Sequence, residues 1–127
     1  PRMLNRLPSP PARIKVNTRS MVQKELLRWF EDIFAFDEIG DQIHVTPGRL
    51  AKELEKSLKL ITGLPSQISY ILKEEWHLAP AKNNKFEFLS IVDNYSDSER
   101  MMVSQISKTR TTGTYYTITR EFVDSKK

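Results

Sequence analysis

The prevailing spacing of the apolar residues changes at Pro80, and this change limits the fold more than any other feature. Before Pro80, most apolar residues recur at intervals of three and four, the period of a helix with one buried face. After Pro80, aromatic and β-branched residues form short runs bounded by turn-forming residues, which is typical of strands. The 127 residues therefore predict one α+β fold, with a helical part followed by an antiparallel β part.

Three helices are predicted in the first part. The first covers residues 20–35 and opens with a Ser-x-x-Gln capping-box pattern. The second begins at Thr46 and Pro47, a capping residue followed by the proline that suits a first helical position, and ends before Gly63. The third covers residues 66–77. Their predicted buried faces are Val22, Leu26, Trp29, Phe30 and Ile33; Leu50, Ala51, Leu54 and Leu58; and Ile68, Ile71, Leu72 and Trp76.

Strands are predicted at three places. Residues 42–45 form a short strand between the first two helices, and residues 86–92 and 114–123 form longer ones. Residues 111–113, Thr-Thr-Gly, predict a hairpin turn because glycine supplies a positive φ. Residues 100–108 leave two alternatives open: their alternation fits a strand, whereas a Ser-x-x-Glu pattern just before them fits a short helix.

The basic charge is concentrated in the first 19 residues. Residues 1–19 contain five basic and no acidic residues together with four prolines, and predict an extended basic arm or a linker. Residues 20–127, the predicted folded domain, contain 15 basic and 16 acidic residues. Within this domain residues 20–45 are acidic, whereas residues 46–73 and 108–127 are each basic by three charges. Such an asymmetric distribution can turn one face of a neutral domain toward a polyanion.

The chain lacks the residues that several classes of protein function require. There is no cysteine, no phosphate-binding glycine loop, no histidine pair at metal-binding spacing and no Ser/His/Asp arrangement. We therefore predict no enzyme activity, no catalytic residues, no metal site and no cofactor. No apolar run is long enough to cross a membrane, so we expect an intracellular protein of the cytoplasm or nucleus. Because the sequence begins at Pro1, we expect it to be one module of a larger protein.

The order of the predicted elements resembles the winged helix-turn-helix superfamily. The resemblance covers residues 20–123 and rests on this order, the helix start at Thr46 and Pro47, the short connection over residues 61–65 and the terminal hairpin. It implies a three-helix core with a β-hairpin or meander, preceded here by the arm, and a duplex-DNA ligand. A fainter similarity connects the chain with the winged-helix modules attached to replication helicases and initiators of phages and plasmids. A role in replication, in a mobile element or in transcription is therefore expected.

The predicted DNA contacts lie on the arm, the helices and the hairpin. In winged-helix domains the helix after the turn enters the major groove, where a glutamine can make a bidentate contact with adenine. Residues 108–115 are expected at the hairpin tip, where basic and hydroxyl side chains suit phosphate contact. The predicted nucleic-acid-binding residues are Arg13, Lys15, Arg19, Arg49, Lys52, Ser66, Gln67, Tyr70, Lys73, Lys108, Arg110 and Thr112.

A second hypothesis gives the same fold a different function. The acidic first helix and the near-neutral domain also suit a module that docks onto other proteins. Its partner would be another domain of the parent protein or a second copy of the chain, the latter through the long β region. The polar residues of the third helix and of the hairpin would then be an ordinary solvated surface.

Overall fold

The computed structural model describes residues 11–59 and 61–127, which form helices and a three-stranded antiparallel sheet. The predicted α+β class is therefore correct. No helix in these residues is long and apolar enough to cross a membrane. The sheet order is β1-β3-β2. In chain order the elements are α1 (Pro11–Phe34), a 3-10 turn (Asp37–Ile39), β1 (Gln42–Val45), α2 (Pro47–Leu54), α3 (Leu64–Tyr70), a π-helical turn (Ile71–Glu75), β2 (Ala81–Ser96), β3 (Met101–Thr119) and α4 (Arg120–Ser125).

Helix α1 begins nine residues earlier than the sequence pattern predicts. Residues 11–19 are helical, so the predicted extended conformation is wrong for this part of the arm, and residues 1–10 lie outside the described residues. Pro11 occupies the first helical position, where its missing N–H costs no hydrogen bond. No further proline or glycine follows before Gly40, and Ser20 lies inside the helix rather than at its cap.

The predicted apolar faces of the three main helices form the core. Every residue predicted on these faces is buried. Trp29 of α1 stacks on Phe88 of β2 with ring centroids 5.8 Å apart, and contacts Phe30 edge-on at 5.7 Å. Fully burying a side chain of this kind stabilises the fold by about 1.5–3 kcal/mol, so these faces determine how the helices pack against the sheet.

Helix α2 ends at Leu54, so the nine residues 55–63 separate it from α3, and the predicted short connection over residues 61–65 is wrong. The Thr46 hydroxyl accepts a hydrogen bond from the Arg49 backbone N–H at 3.2 Å, which confirms the predicted cap. Gly63 precedes α3 with φ of 64°, a left-handed conformation that favours glycine. The helix then widens into the π-helical turn, where the Trp76 N–H donates to the Ile71 carbonyl at 2.8 Å.

The hairpin turn lies at residues 97–100, well before its predicted position at residues 111–113. Strands β2 and β3 pair continuously up to Ser96 and Met101, so the turn is formed by residues 97–100. The Ser96 hydroxyl accepts from the Glu99 N–H at 3.3 Å, and the Ser96 carbonyl accepts from the Arg100 N–H at 2.6 Å. The Ser-x-x-Glu pattern therefore stabilises a turn rather than a helix, and residues 101–108 are strand.

Gly113 is part of an irregularity within β3, so the predicted turn at residues 111–113 is wrong. Its φ of 129° confirms the need for a conformation that other residues rarely adopt. The strand pairing shifts beside it, between Ala81 and Asn84 of β2. A bulge uses a positive φ as readily as a turn does, and local sequence does not distinguish the two. Because of the irregularity, Thr111, which precedes Gly113, and Tyr116, which follows it, both lie on the face of the sheet that is turned toward the core.

The predicted last strand ends at Thr119 instead of residue 123, and α4 follows. The Thr119 hydroxyl accepts from the Phe122 N–H at 3.0 Å and caps α4, which places Phe122 against Trp76 at 5.3 Å. Arg120 donates from its two terminal nitrogens to the carbonyls of Phe34 and Gly40, both at 2.7 Å. These tertiary contacts hold a segment in helical form that by itself alternates like a strand.

Candidate nucleic-acid interface

The outward face of α3 and its π-helical turn has the composition that the sequence predicts. Ser66, Tyr70, Lys73 and His77 are exposed, and they lie opposite the buried residues of the same helix. Tyr70 has 43% of its surface accessible. Glu74 is exposed beside Lys73 and would repel a phosphate there. The polar groups of this face that suit contact with DNA are therefore concentrated in the half that contains Ser66 and Tyr70.

Arg19 and Gln67 are only partly available from this face. The Arg19 guanidinium carbon lies 4.1 Å from the centroid of the Tyr70 ring, a cation–π contact between α1 and α3. Within the described part of the chain, Arg19 Nε and Gln67 Oε1 are buried without a hydrogen-bond partner. A bidentate contact with adenine needs the Gln67 oxygen and nitrogen together, so this side chain would have to rotate before reading a base.

The surface of α2 and of the residues that follow it supplies exposed cations. Lys52, Lys56 and Lys59 are exposed, and in the ranges 11–59 and 61–127 they make no ion pair. Lys73 is likewise unpaired there. Unpaired ammonium groups exchange water for phosphate without first breaking a salt bridge. Helices α2 and α3 pack against each other, and we use the name α2–α3 face for the exposed residues Lys52, Lys56, Lys59, Ser66, Tyr70 and Lys73 of this region.

Two members of the α2–α3 face, Lys56 and Lys59, are missing from the set predicted by sequence. Both contribute to the basic balance of residues 46–73, so the charge count contained the necessary signal. The reason for the omission is that helix periodicity does not show which cations follow the end of α2. Arg49, which is in the predicted set, is half-buried with its guanidinium carbon 6.0 Å from the Phe88 ring centroid.

Lys108, Arg110 and Thr112 lie in the middle of β3, and their predicted position at the hairpin tip is wrong. In the strand register they pair with Leu89, Glu87 and Lys85. We call this side of the ribbon the outer face: positions 85, 87, 89, 91, 93 and 95 of β2 with their partners 112, 110, 108, 106, 104 and 102 of β3. The three predicted residues are exposed on it.

The inner face of the hairpin is turned toward the helices. It carries Phe86 and Phe88, and Phe88 contacts both Trp29 and Arg49. Adjacent residues of a strand point to opposite sides, so the outer face points away from these contacts. The structure therefore joins Arg19 to the α3 surface, but it does not add Lys108, Arg110 and Thr112 to it.

The true tip of the hairpin is acidic and apolar. Asp97 and Glu99 of the turn are exposed beside a single cation, Arg100. Met101 and Met102 follow with 53% and 63% of their surfaces accessible. This composition does not suit contact with a phosphate backbone.

The two remaining predicted cations, Arg13 and Lys15, lie in the first half of α1, where the backbone is helical rather than extended. A helix rises only 1.5 Å per residue, so residues 11–19 span roughly 14 Å instead of the roughly 30 Å of an extended arm. Positions 13 and 15 are therefore part of α1 and do not belong to an extended arm.

The histidines occupy separate structural positions. His44 Nδ1 lies 3.1 Å from the Thr117 hydroxyl across the β1–β3 pair, and the His44 ring packs against Tyr115 at 4.7 Å. His77 follows the π-helical turn with φ of 54°. Among the residues that the structure describes, no three His, Asp or Glu side chains converge as ligands for a metal ion.

Comparisons with known proteins add no family to this description. No protein-family model matches the chain, and neither a curated protein nor a solved structure matches it.

Proposed function

We propose that the chain is a winged-helix module that binds duplex DNA through the α2–α3 face. The observation that carries the proposal is that Lys52, Lys56, Lys59 and Lys73 are exposed and make no ion pair within residues 11–59 and 61–127, and that Ser66 and Tyr70 of α3 are exposed as well. The order of helices and strands and the pairing of β1 with β3 support the winged-helix assignment. DNA binding implies an intracellular location, in a larger replication, mobile-element or transcription protein.

In the proposed complex α3 enters the major groove, which is wide enough for one helix. Ser66 and Tyr70 then reach base edges or sugar–phosphate groups, and the lysines of α2 and of its following turn contact the phosphates beside the groove. Glu74 lies beside Lys73 near the end of the helix, so its repulsion of phosphate weakens the contact there more than at Ser66. The complex is therefore held mainly by charge, with few base-specific contacts.

Fluorescence anisotropy of a labelled duplex, titrated at several salt concentrations, tests this proposal. Each phosphate neutralised contributes about −0.9 to the slope of log K against log salt, so four lysines predict a slope of roughly −3 to −4. A Lys52→Glu/Lys73→Glu variant should weaken binding by about tenfold or more. Binding that is absent, or that does not change with salt, would contradict the proposal.

A matched control separates position from net charge. Lys24→Glu/Lys126→Glu makes the same change in charge, but Lys24 and Lys126 line a surface cavity between α1 and α4. The proposal predicts that this control binds DNA within about threefold of the unmodified chain, because neither residue belongs to the α2–α3 face and exposed charges are screened over about 10 Å. Equal losses in the two variants would show non-specific attraction instead of a defined face.

The alternative is a docking or dimerisation module. The exposed Tyr95, Met101 and Met102 at the acidic hairpin tip favour it, because apolar side chains of this size are common at protein interfaces. This alternative would be favoured if the Lys52→Glu/Lys73→Glu variant kept its binding to a partner protein or to a second copy, and if substitutions at Tyr95, Met101 and Met102 abolished that binding.

A further inference from the structure

The outer face of the hairpin carries an apolar stripe that runs from the body of the domain toward the tip. Tyr95 and Met102 form its distal pair and are 60% and 63% exposed. Leu89 and the pair Ile91–Ile106 are half-buried where they pack against the core. A two-stranded ribbon is marginally stable by itself in water. Covering the apolar stripe with another surface would therefore stabilise this part of the hairpin.

The two ends of the stripe carry opposite charge. At the base, three cations outnumber the nearby acids: Lys85, Lys108 and Arg110 against Glu87 and Glu38. At the tip the acids outnumber the single cation: Asp93, Asp97 and Glu99 against Arg100. A surface with an apolar centre and opposite charges at its ends is complementary to itself when a second copy lies antiparallel to it.

We propose that the occupant of this stripe is a second copy of the chain, which packs outer face to outer face about a two-fold axis at the Ile91–Ile106 pair. Lys108 lies two residue pairs to one side of the axis and Asp93 two pairs to the other. Each Lys108 then lies opposite the Asp93–Ser104 pair of the second copy. An axis at Asp93 would instead place two like carboxylates together, which is why the isoleucine pair is the centre.

This arrangement uses contacts that one chain cannot make internally. Lys108 pairs with Leu89, and Leu89 lies four residues from Asp93 along β2, a distance of roughly 14 Å. The Asp93 carboxylate accepts a hydrogen bond from the Ser104 hydroxyl at 2.6 Å, so its position is held by its own chain. Any strong coupling between Lys108 and Asp93 therefore reports contact between copies.

Sedimentation equilibrium over a range of chain concentrations tests the proposal. We expect a monomer–dimer equilibrium with Kd on the order of micromolar. Met102→Glu should raise this Kd at least about tenfold, because it places a charge in the covered stripe. Met101→Glu is the matched control: Met101 is 53% exposed but lies on the inner face, so Kd should stay within about twofold.

A charge exchange tests the orientation. Lys108→Glu should weaken the dimer, and Lys108→Glu/Asp93→Lys should restore it to near the original Kd because the pair is reversed in both copies. A chain that remains monomeric at about 200 µM overturns the proposal, as do equal effects of Met101→Glu and Met102→Glu or a failure of the double variant to recover. The readout is molecular mass, so these outcomes are independent of whether the chain binds DNA.

Discussion

The guanidinium group of Arg19 covers one side of the Tyr70 ring, with 4.1 Å between the guanidinium carbon and the ring centroid. The contact fastens α1 to the outward face of α3. The sequence predicts both residues as DNA contacts, but the pairing means that one side of the Tyr70 ring is already occupied. Arg19 therefore has a positioning role in the proposed interface in addition to its charge.

Replacing Arg19 by Lys should loosen this contact. An ammonium group keeps the charge but does not stack as a planar guanidinium does, so we expect the free energy of unfolding to fall by about 0.5–1 kcal/mol. Urea denaturation measures the change. Arg28→Lys is the control, because the Arg28 side chain is 73% exposed and its pair with Glu25 spans 3.7 Å. A loss in Arg19→Lys that persists unchanged in a Tyr70→Leu background would argue against the contact as its cause.

Arg120→Lys should be more costly than Arg19→Lys. Arg120 donates to the Phe34 and Gly40 carbonyls at 2.7 Å each, and one ammonium group does not match both directions. The loss of one such charge-assisted bond predicts a decrease in unfolding free energy of about 1.5–3 kcal/mol. The urea midpoint should fall with an unchanged m-value, whereas Arg110→Lys on the exposed outer face should leave both unchanged. Equal urea midpoints for the two variants would show that the two Arg120 hydrogen bonds do not stabilise the fold.

Gly63→Ala should destabilise the connection before α3. Its φ of 64° is unfavourable for any residue with a Cβ, although no atom lies within 4 Å of the added carbon, so the cost is conformational. We expect a loss of about 1 kcal/mol in thermal or urea denaturation. Gly48→Ala, in α2, also meets open space but has an ordinary φ, and should stabilise the chain by about 0.5–1 kcal/mol. The two substitutions should therefore have opposite signs.

Thr119→Ala should weaken α4. The hydroxyl accepts the Phe122 N–H at 3.0 Å, and loss of a helix cap of this type costs about 1 kcal/mol. Circular dichroism during urea denaturation measures the loss. Thr114→Ala, an exposed position of β3, should change stability by less than about 0.5 kcal/mol. If the two threonines behave alike, the segment after Thr119 does not depend on the cap.

Periodic apolar patterns made the core predictable. The spacing of Leu26, Phe30 and Ile33 places them on one side of any helix that contains them, and burial of that side is favoured wherever the helix packs. The cap at Thr46 is equally local, because a hydroxyl and a backbone N–H three residues away are enough to form it. Predictions of this kind depend on neighbours in sequence, and they are correct here.

The proposed site was only partly predictable, for a different reason. Exposure of Ser66, Tyr70 and Lys73 follows from their position opposite the buried face of α3, so the sequence identifies them. The burial of Gln67 Oε1 depends on how closely α3 approaches its neighbours, and the helical pattern contains no information on that distance. The position of Lys108 and Arg110 depends on where the hairpin turns. The local sequence does not identify that place, because a glycine in a bulge and a glycine in a turn have the same sequence pattern.

By itself, the sequence determined which side of each main helix is buried, where α2 begins and that Gly113 needs a positive φ, because these are properties of a few neighbouring residues. Tertiary structure decided that the hairpin turns after Ser96 and that the segment after Thr119 is a helix. Each of these choices lies between local conformations of similar energy. The balance is decided by long-range contacts, such as strand pairing over the length of β2 and the Arg120 hydrogen bonds, which no short window of sequence contains.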